Sequence, residues 1–266
     1  MSRAPAAALI VLACAGMAHA QGVTNRAVAY LVATNVADAR ALWVNPAGLA
    51  THPEASVLLD LTVVQPGATG RLGQVTAGFN ARGLSFGYQR DIFPSGLRGH
   101  TYKLGLAGNY GGFAGGLGIA FHGGANQGTA WDVGVRYDRL PTVTFGGVIR
   151  NIGRPRIFGV RQATSLVPAV TLWPFRSVLA VSAQASIASD TSARGYAVEA
   201  EALWPRSPRL GLLARFDTDG SLHRRALLFG LSIGTRDRVG AVGSTAGDLS
   251  KVDAVSVYGV SSRTPR

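Results

Sequence analysis

The sequence predicts an all-β protein, an antiparallel transmembrane β-barrel of about fourteen strands behind a short, partly helical N-terminal segment. Three observations carry this expectation. From about Val57 onward apolar residues alternate with polar or small ones, the alternating segments are about ten residues long, and the chain opens with an export signal. Val57, Leu59, Leu61 and Val63 share one face, while Leu58, Asp60 and Thr62 take the other. Trp131, Val133, Val135 and Tyr137 oppose Asp132, Gly134, Arg136 and Asp138, and Leu227, Phe229, Leu231 and Ile233 oppose Gly230 and Ser232. Period two is the signature of a strand. Ten residues at about 3.3 Å each, tilted by about 40°, rise about 25 Å, the height of the apolar band of an outer-membrane barrel.

Residues 1–20 read as a signal peptide, with Arg3 as its positive region, Ala6 to Met17 as its apolar stretch and Ala18-His19-Ala20 before the cut. Val11-Leu12-Ala13-Cys14 also fits a lipoprotein box, over a very short apolar run; cleavage after Ala20 is the preferred reading. Cys14, the only cysteine, lies inside that peptide, so disulfides and thiol catalysis are excluded from the mature chain. No later segment reaches about eighteen uninterrupted apolar residues, which excludes a transmembrane helix. Residues 21–54 form a second unit. In it Val36 to Leu42 is Ala-rich with Asp38 and Arg40, predicting a short helix that ends before Asn45-Pro46.

After Pro53 the chain reads as strands near 55–65, 70–80, 82–91, 101–110, 112–122, 128–139, 142–151, 166–174, 178–187, 194–204, 209–218, 224–235, 237–245 and 251–261. The barrel thus occupies 55–261, with 262–266 as a tail. The last two strands are poorly patterned, which leaves twelve as the alternative count. Short links at Ala81-Arg82, Gly111, Leu140-Pro141, Pro174 to Arg176 and Thr235-Arg236 alternate with longer ones at 91–100, 123–128, 151–165 and 188–193. Short turns on the periplasmic side and longer loops outside fit such a barrel, with 66–69 as an exception.

The faces separate a barrel from its rival, a soluble β-sandwich. On the outward positions of the first twelve strands no charge is expected. The lumen-lining positions are to carry Asp60, Lys103, Asp132, Arg136, Arg150, Glu199, Glu201, Arg215 and Asp217. Outward aromatics form two girdles, with Tyr88, Tyr102, Phe121, Trp131, Tyr196 and Phe216 at one level and Phe79, Tyr110, Phe113, Tyr137, Trp173 and Trp204 at the other. Lumen-facing glycines at 78, 87, 105, 116, 118, 134, 146 and 230 leave room for a backbone to approach the wall, or else relieve its curvature.

The net charge of +12 comes almost wholly from arginine, and these residues form no run or helical stripe. Nucleic acid is therefore excluded as a partner, whereas phosphates of outer-membrane lipid and lipopolysaccharide suit a guanidinium fork. Gly83-Leu84-Ser85-Phe86-Gly87 matches a hydrolase pattern, but it lies inside an alternating strand with no helix behind it. His52, His100, His122 and His223 lack metal-ligand spacing, and Asp217-Thr218-Asp219-Gly220 lacks the glutamate of a calcium loop. The expectation is no enzyme, no cofactor and no metal.

Leu42-Trp43-Val44-Asn45-Pro46-Ala47-Gly48-Leu49-Ala50, together with Asp132 to Gly153 ending in Arg150-Asn151-Ile152-Gly153, resembles the superfamily of FadL-type hydrophobic-compound channels and PorV-like secretion accessory proteins. That resemblance implies a fourteen-strand barrel in the cell outer membrane, with the N-terminal segment folded inside as a plug that holds Asn45, Pro46 and Gly48. It implies passive passage of a small hydrophobic molecule, which would meet Leu58, Val148 and Leu213. The alternative it implies is a scaffold for secretion-machinery proteins, docked at the loop bearing Arg154, Arg156 and Arg161. The chain departs from the pattern in its compact loops, in lacking a glycine-rich stretch before Asn45, and in its non-aromatic end, where Tyr258 is the nearest candidate for a terminal aromatic.

Overall fold

The structure, a computed structural model, describes residues 25–52, 54–65, 70–175, 178–189, 194–204, 208–246 and 251–264. The expected signal peptide and the loop 66–69 lie outside the described residues. Fourteen long strands form the wall: β1 (Ala55–Val64), β2 (Arg71–Ala81), β3 (Leu84–Ile92), β4 (Arg98–Tyr110), β5 (Phe113–Gly124), β6 (Asn126–Tyr137) and β7 (Val143–Ile152), then β10 (Ser165–Phe175), β11 (Leu179–Ala188), β12 (Arg194–Trp204), β13 (Leu210–Asp219), β14 (Arg224–Gly234), β15 (Asp237–Ala246) and β16 (Ala254–Arg263). Two short strands, β8 (Arg156–Ile157) and β9 (Val160–Arg161), make a small hairpin in the link between β7 and β10. Every long strand pairs antiparallel with its neighbours, and β16 pairs with β1, so the wall is a closed barrel without an edge.

The alternation reads through to burial. In β1, Val57, Leu59 and Leu61 are exposed on the outside while Leu58, Asp60 and Thr62 are buried inside. Tyr102, Phe121, Trp131 and Phe216 are exposed toward one end of the barrel, and Phe79, Tyr110, Phe113 and Trp204 toward the other. The expected charge-free outer face is corrected at the rim. Arg90 and Arg194 keep the outward register near the ends of β3 and β12. Arg98 is also exposed on the outward register of β4. A long side chain at a strand end can carry its guanidinium to polar surroundings.

The two ends differ in their links. One end has tight turns such as Arg82–Gly83, Gly111–Gly112 and Thr235–Arg236; the other carries the link 153–164 with its hairpin. The expected long loop at 123–128 is instead the single residue Ala125, because β5 and β6 run on to Gly124 and from Asn126. The link at Leu140-Pro141 widens to 138–142. The tail shortens: Ser262 and Arg263 pair with Ser56 and Ala55 as the last rungs of β16. Tyr258 is not an outward terminal aromatic but faces inward.

Residues 25–52 lie inside the barrel, in contact with its wall, and pack apolar side chains against it in two core clusters. The segment holds a 3-10 turn (Arg26–Val28), the one-turn α1 (Ala41–Val44) and a second 3-10 turn (Pro46–Ala50). The expected helix over 36–42 is displaced to 41–44. An ion pair between Asp38 and Arg40 ties the preceding turn, and Ala41 N–H donates to the Asp38 carbonyl. Pro46 opens the second turn, with the Asn45 side chain accepting from Ala47 N–H at 3.2 Å.

Candidate functional site

The inner wall is cut to fit the plug. A Cβ added at Gly134 would overlap Asn45 Oδ1, and one at Gly116 would overlap the backbone of Pro46. At Gly87 it would come within 2.7 Å of the Trp43 ring, at Gly105 within 2.5 Å of Leu42 and at Gly146 within 3.0 Å of Thr34. Gly78 lies in ordinary contact with Ala39, whereas Gly118 meets Lys103 and Gly230 meets Val242. Six of the eight glycines singled out in the sequence therefore face the plug directly. Gly48 belongs to the plug itself, where a side chain would run into the Val36 carbonyl.

Asn45 is the hub. It is fully buried, and its Nδ2 donates to the carbonyl of Ala33 in the plug at 3.0 Å and to that of Val135 in the wall at 3.2 Å. Around it, wall arginines fasten plug carbonyls. Arg136 donates to Val36 O at 2.9 Å, Arg150 to Val44 O at 3.1 Å and Arg215 to Leu31 O at 2.8 Å. These carbonyls have no regular helix or sheet to satisfy them, so the wall supplies the donors that a buried backbone needs.

The remaining predicted lumen charges face the plug or each other. Glu199 and Glu201 each accept from Asn35 Nδ2 at 3.0 Å. Lys103 is paired with Asp132 and sits over the Trp43 ring, 5.5 Å from its centre. Asp132 also accepts from Asn151 N–H at 2.9 Å. Asp60 is buried and accepts from Thr62 at 2.9 Å, and Asp217 takes the Arg215 Nε at 2.7 Å. Of the apolar positions expected to meet a ligand, Leu58 and Val148 are instead packed under the plug. Leu213 alone borders open space.

Several contacts were not singled out in the sequence. Gln74 and Gln184 accept from the plug N–H groups of Arg26 and Ala33 at 2.9 and 3.2 Å, and Asn80 donates to Leu49 O at 3.1 Å. Their signal was present as polar residues on the inward parity. Tyr258 stacks on Tyr30 at 5.6 Å and lies under Arg40, which bonds Tyr30 at 2.9 Å. No local pattern announces that cluster, because its members come from both ends of the chain.

The hydrolase-like Ser85 donates to Phe79 O at 2.6 Å, a contact that fastens one wall strand to its neighbour. His100 bonds Tyr88 and His122 bonds Thr101, and Asp219 accepts two N–H groups of its own turn, from Ser221 and His223. Among the described residues no cluster of His, Cys, Asp and Glu could hold a metal.

Besides a small one of about 50 Å³ near Trp43 and His122, the plug leaves a cavity at each end of the lumen. One, of about 450 Å³, opens toward the tight-turn end beside His52, Arg209 and Arg236. The other, of about 240 Å³, opens toward the long-loop end beside Asn151, Gln162 and Ser186. Leu31 borders both.

No family model and no curated protein matches the sequence. Among solved structures, the toluene transporter TbuX of Ralstonia pickettii superposes with a TM-score of 0.61 at 12% identity, covering 89% of this chain and 97% of that one. The P. putida toluene transporter TodX gives 0.59 at 10% identity, covering 84% and 93%. The fold is that of the toluene transporters. At these identities the likeness is one of architecture, and it says nothing of which molecule each lumen accepts.

Proposed function

We propose that this protein sits in the outer membrane and passes small hydrophobic molecules through its lumen, with the N-terminal segment acting as the gate. The observation that carries this reading is the pair of cavities on opposite faces of one thin barrier, with Leu31 common to both. A passenger crosses if the plug shifts locally at Leu31; the barrel itself need not open. The shared fold with two toluene transporters supports the choice of passenger. The aromatic girdles and the apolar outer wall support the location, and the longer loops support an outward-facing direction for that end.

The scaffold reading has less to rest on. The loop that would dock partners is folded back, with Phe158 stacked on Phe93 at 4.3 Å and Arg154 bonded to Ser189 at 3.2 Å.

A reversible tether tests the gate. Thr34 of the plug and Thr171 of the wall share a hydrogen bond of 2.7 Å, so the double variant Thr34→Cys, Thr171→Cys places two thiols within bonding reach. Uptake of radiolabelled toluene by cells carrying it should stop on oxidation and return on reduction. Equal uptake in both states would remove the plug from the path.

A further inference from the structure

The cavity at the long-loop end has a charge that passage of a neutral hydrocarbon does not require. Arg150, Arg215 and Arg225 border it, against the single carboxylate of Asp217 among the described residues. The cavity at the tight-turn end sets Arg40, Arg209, Arg236 and Arg238 against three carboxylates, Asp38, Glu54 and Glu201. Among the described residues the larger excess of positive charge therefore lies on the long-loop face of the plug. On that face the arginines surround an apolar floor of Val28, Leu31, Trp43 and Val167. At about 240 Å³ the space is smaller than the roughly 300–1,000 Å³ of most ligand sites, which suits one ring.

Two of these arginines have a second task. Arg150 and Arg215 hold the plug by the carbonyls of Val44 and Leu31. A guanidinium binds a carboxylate more strongly than a neutral carbonyl and does so through two parallel bonds. An anion in this cavity competes for the groups that fasten the gate.

We propose that the long-loop cavity binds a compact organic anion, an apolar ring bearing one carboxylate, and that the anion draws Arg150 and Arg215 off the plug carbonyls and so loosens the plug. The consequence for uptake rests on the transport reading above; the binding and the loosening do not.

The probes are sodium benzoate and its neutral analogue benzyl alcohol, titrated calorimetrically at low salt into the purified full-length protein in detergent. Benzoate should bind at least about tenfold more tightly than benzyl alcohol, the worth of a charge-assisted hydrogen bond. Arg225→Gln, beside Gly195 on the wall, should lower benzoate affinity about tenfold. Bound benzoate should also speed amide hydrogen exchange across residues 31–44, which benzyl alcohol should not. Equal affinity for the two probes overturns the site without any variant having to fold, and benzoate binding with unchanged exchange overturns the coupling. If benzoate binds and loosens the plug while the oxidised tether leaves toluene uptake intact, the gate reading fails and the anion site stands.

Discussion

Gly115 and Gly116 stand side by side in β5, yet their surroundings differ completely. A Cβ on the first meets open space, while on the second it would enter the backbone of Pro46. The alternation of the strand explains the contrast, since neighbours point to opposite faces. Gly115→Ala should leave stability within a few tenths of a kcal/mol, whereas Gly116→Ala should cost about 1–3 kcal/mol through overpacking. Denaturant melts of the purified barrel can compare them, and equal costs would mean that the plug does not rest on this wall. The parity of such glycines was legible in the sequence. Which of them touch the plug was not, because Gly118 and Gly230 have the same parity and meet only atoms of the wall.

At the scale of an element, the plug is almost without regular structure of its own. Its α-helix is four residues long, too short to persist unaided, and its backbone is satisfied by Arg136, Arg150, Arg215 and Asn45. The sequence predicts the helix a few residues early because helical propensity over 36–42 loses to tertiary bonds that no local window contains. The turn before α1 is held by charge. Burial pushes the Asp38 carboxyl up, but Arg40 at 2.6 Å and Arg238 at 3.4 Å more than offset this and hold it down at about 2. A carboxyl depressed in the folded state contributes stability that is complete above its unfolded value, near about 4, and is lost as pH falls toward about 2. The near-ultraviolet circular dichroism of the Tyr30–Tyr258 stack, beside this ion pair, should therefore hold from neutral pH to about pH 4 and fade below it. Loss complete by about pH 5 would show that another group controls the turn.

For the whole molecule, strand faces were legible because a period of two leaves few registers to choose from, and an outer apolar face with an inner charged one fits only one of them. The final strands resisted reading for a physical reason. Part of their inner face is apolar as well, since Val242, Tyr258 and Val260 pack on the plug, so the alternation that marks the other strands is weakened. A closed wall of this kind predicts heat-modifiable migration: the unboiled protein should run faster on a gel than the boiled one, with a β-rich circular dichroism spectrum. Equal migration together with solubility in the absence of detergent would make the outer residues an internal core.

The route of the plug constrains how the molecule can be made. Its first described residue, Asn25, borders the cavity at the long-loop end, while Leu49 and His52 leave toward the tight-turn end. Pushing this segment into a finished cylinder would mean threading a free end through the full length of the bore, a manoeuvre that folding chains avoid. Wrapping avoids it: the sheet curls around a segment already in place, and the seam between β1 and β16 is sewn afterwards. The Tyr30–Tyr258 stack joins the earliest described part of the chain to its last strand, so the clasp of the cylinder is made partly of its contents.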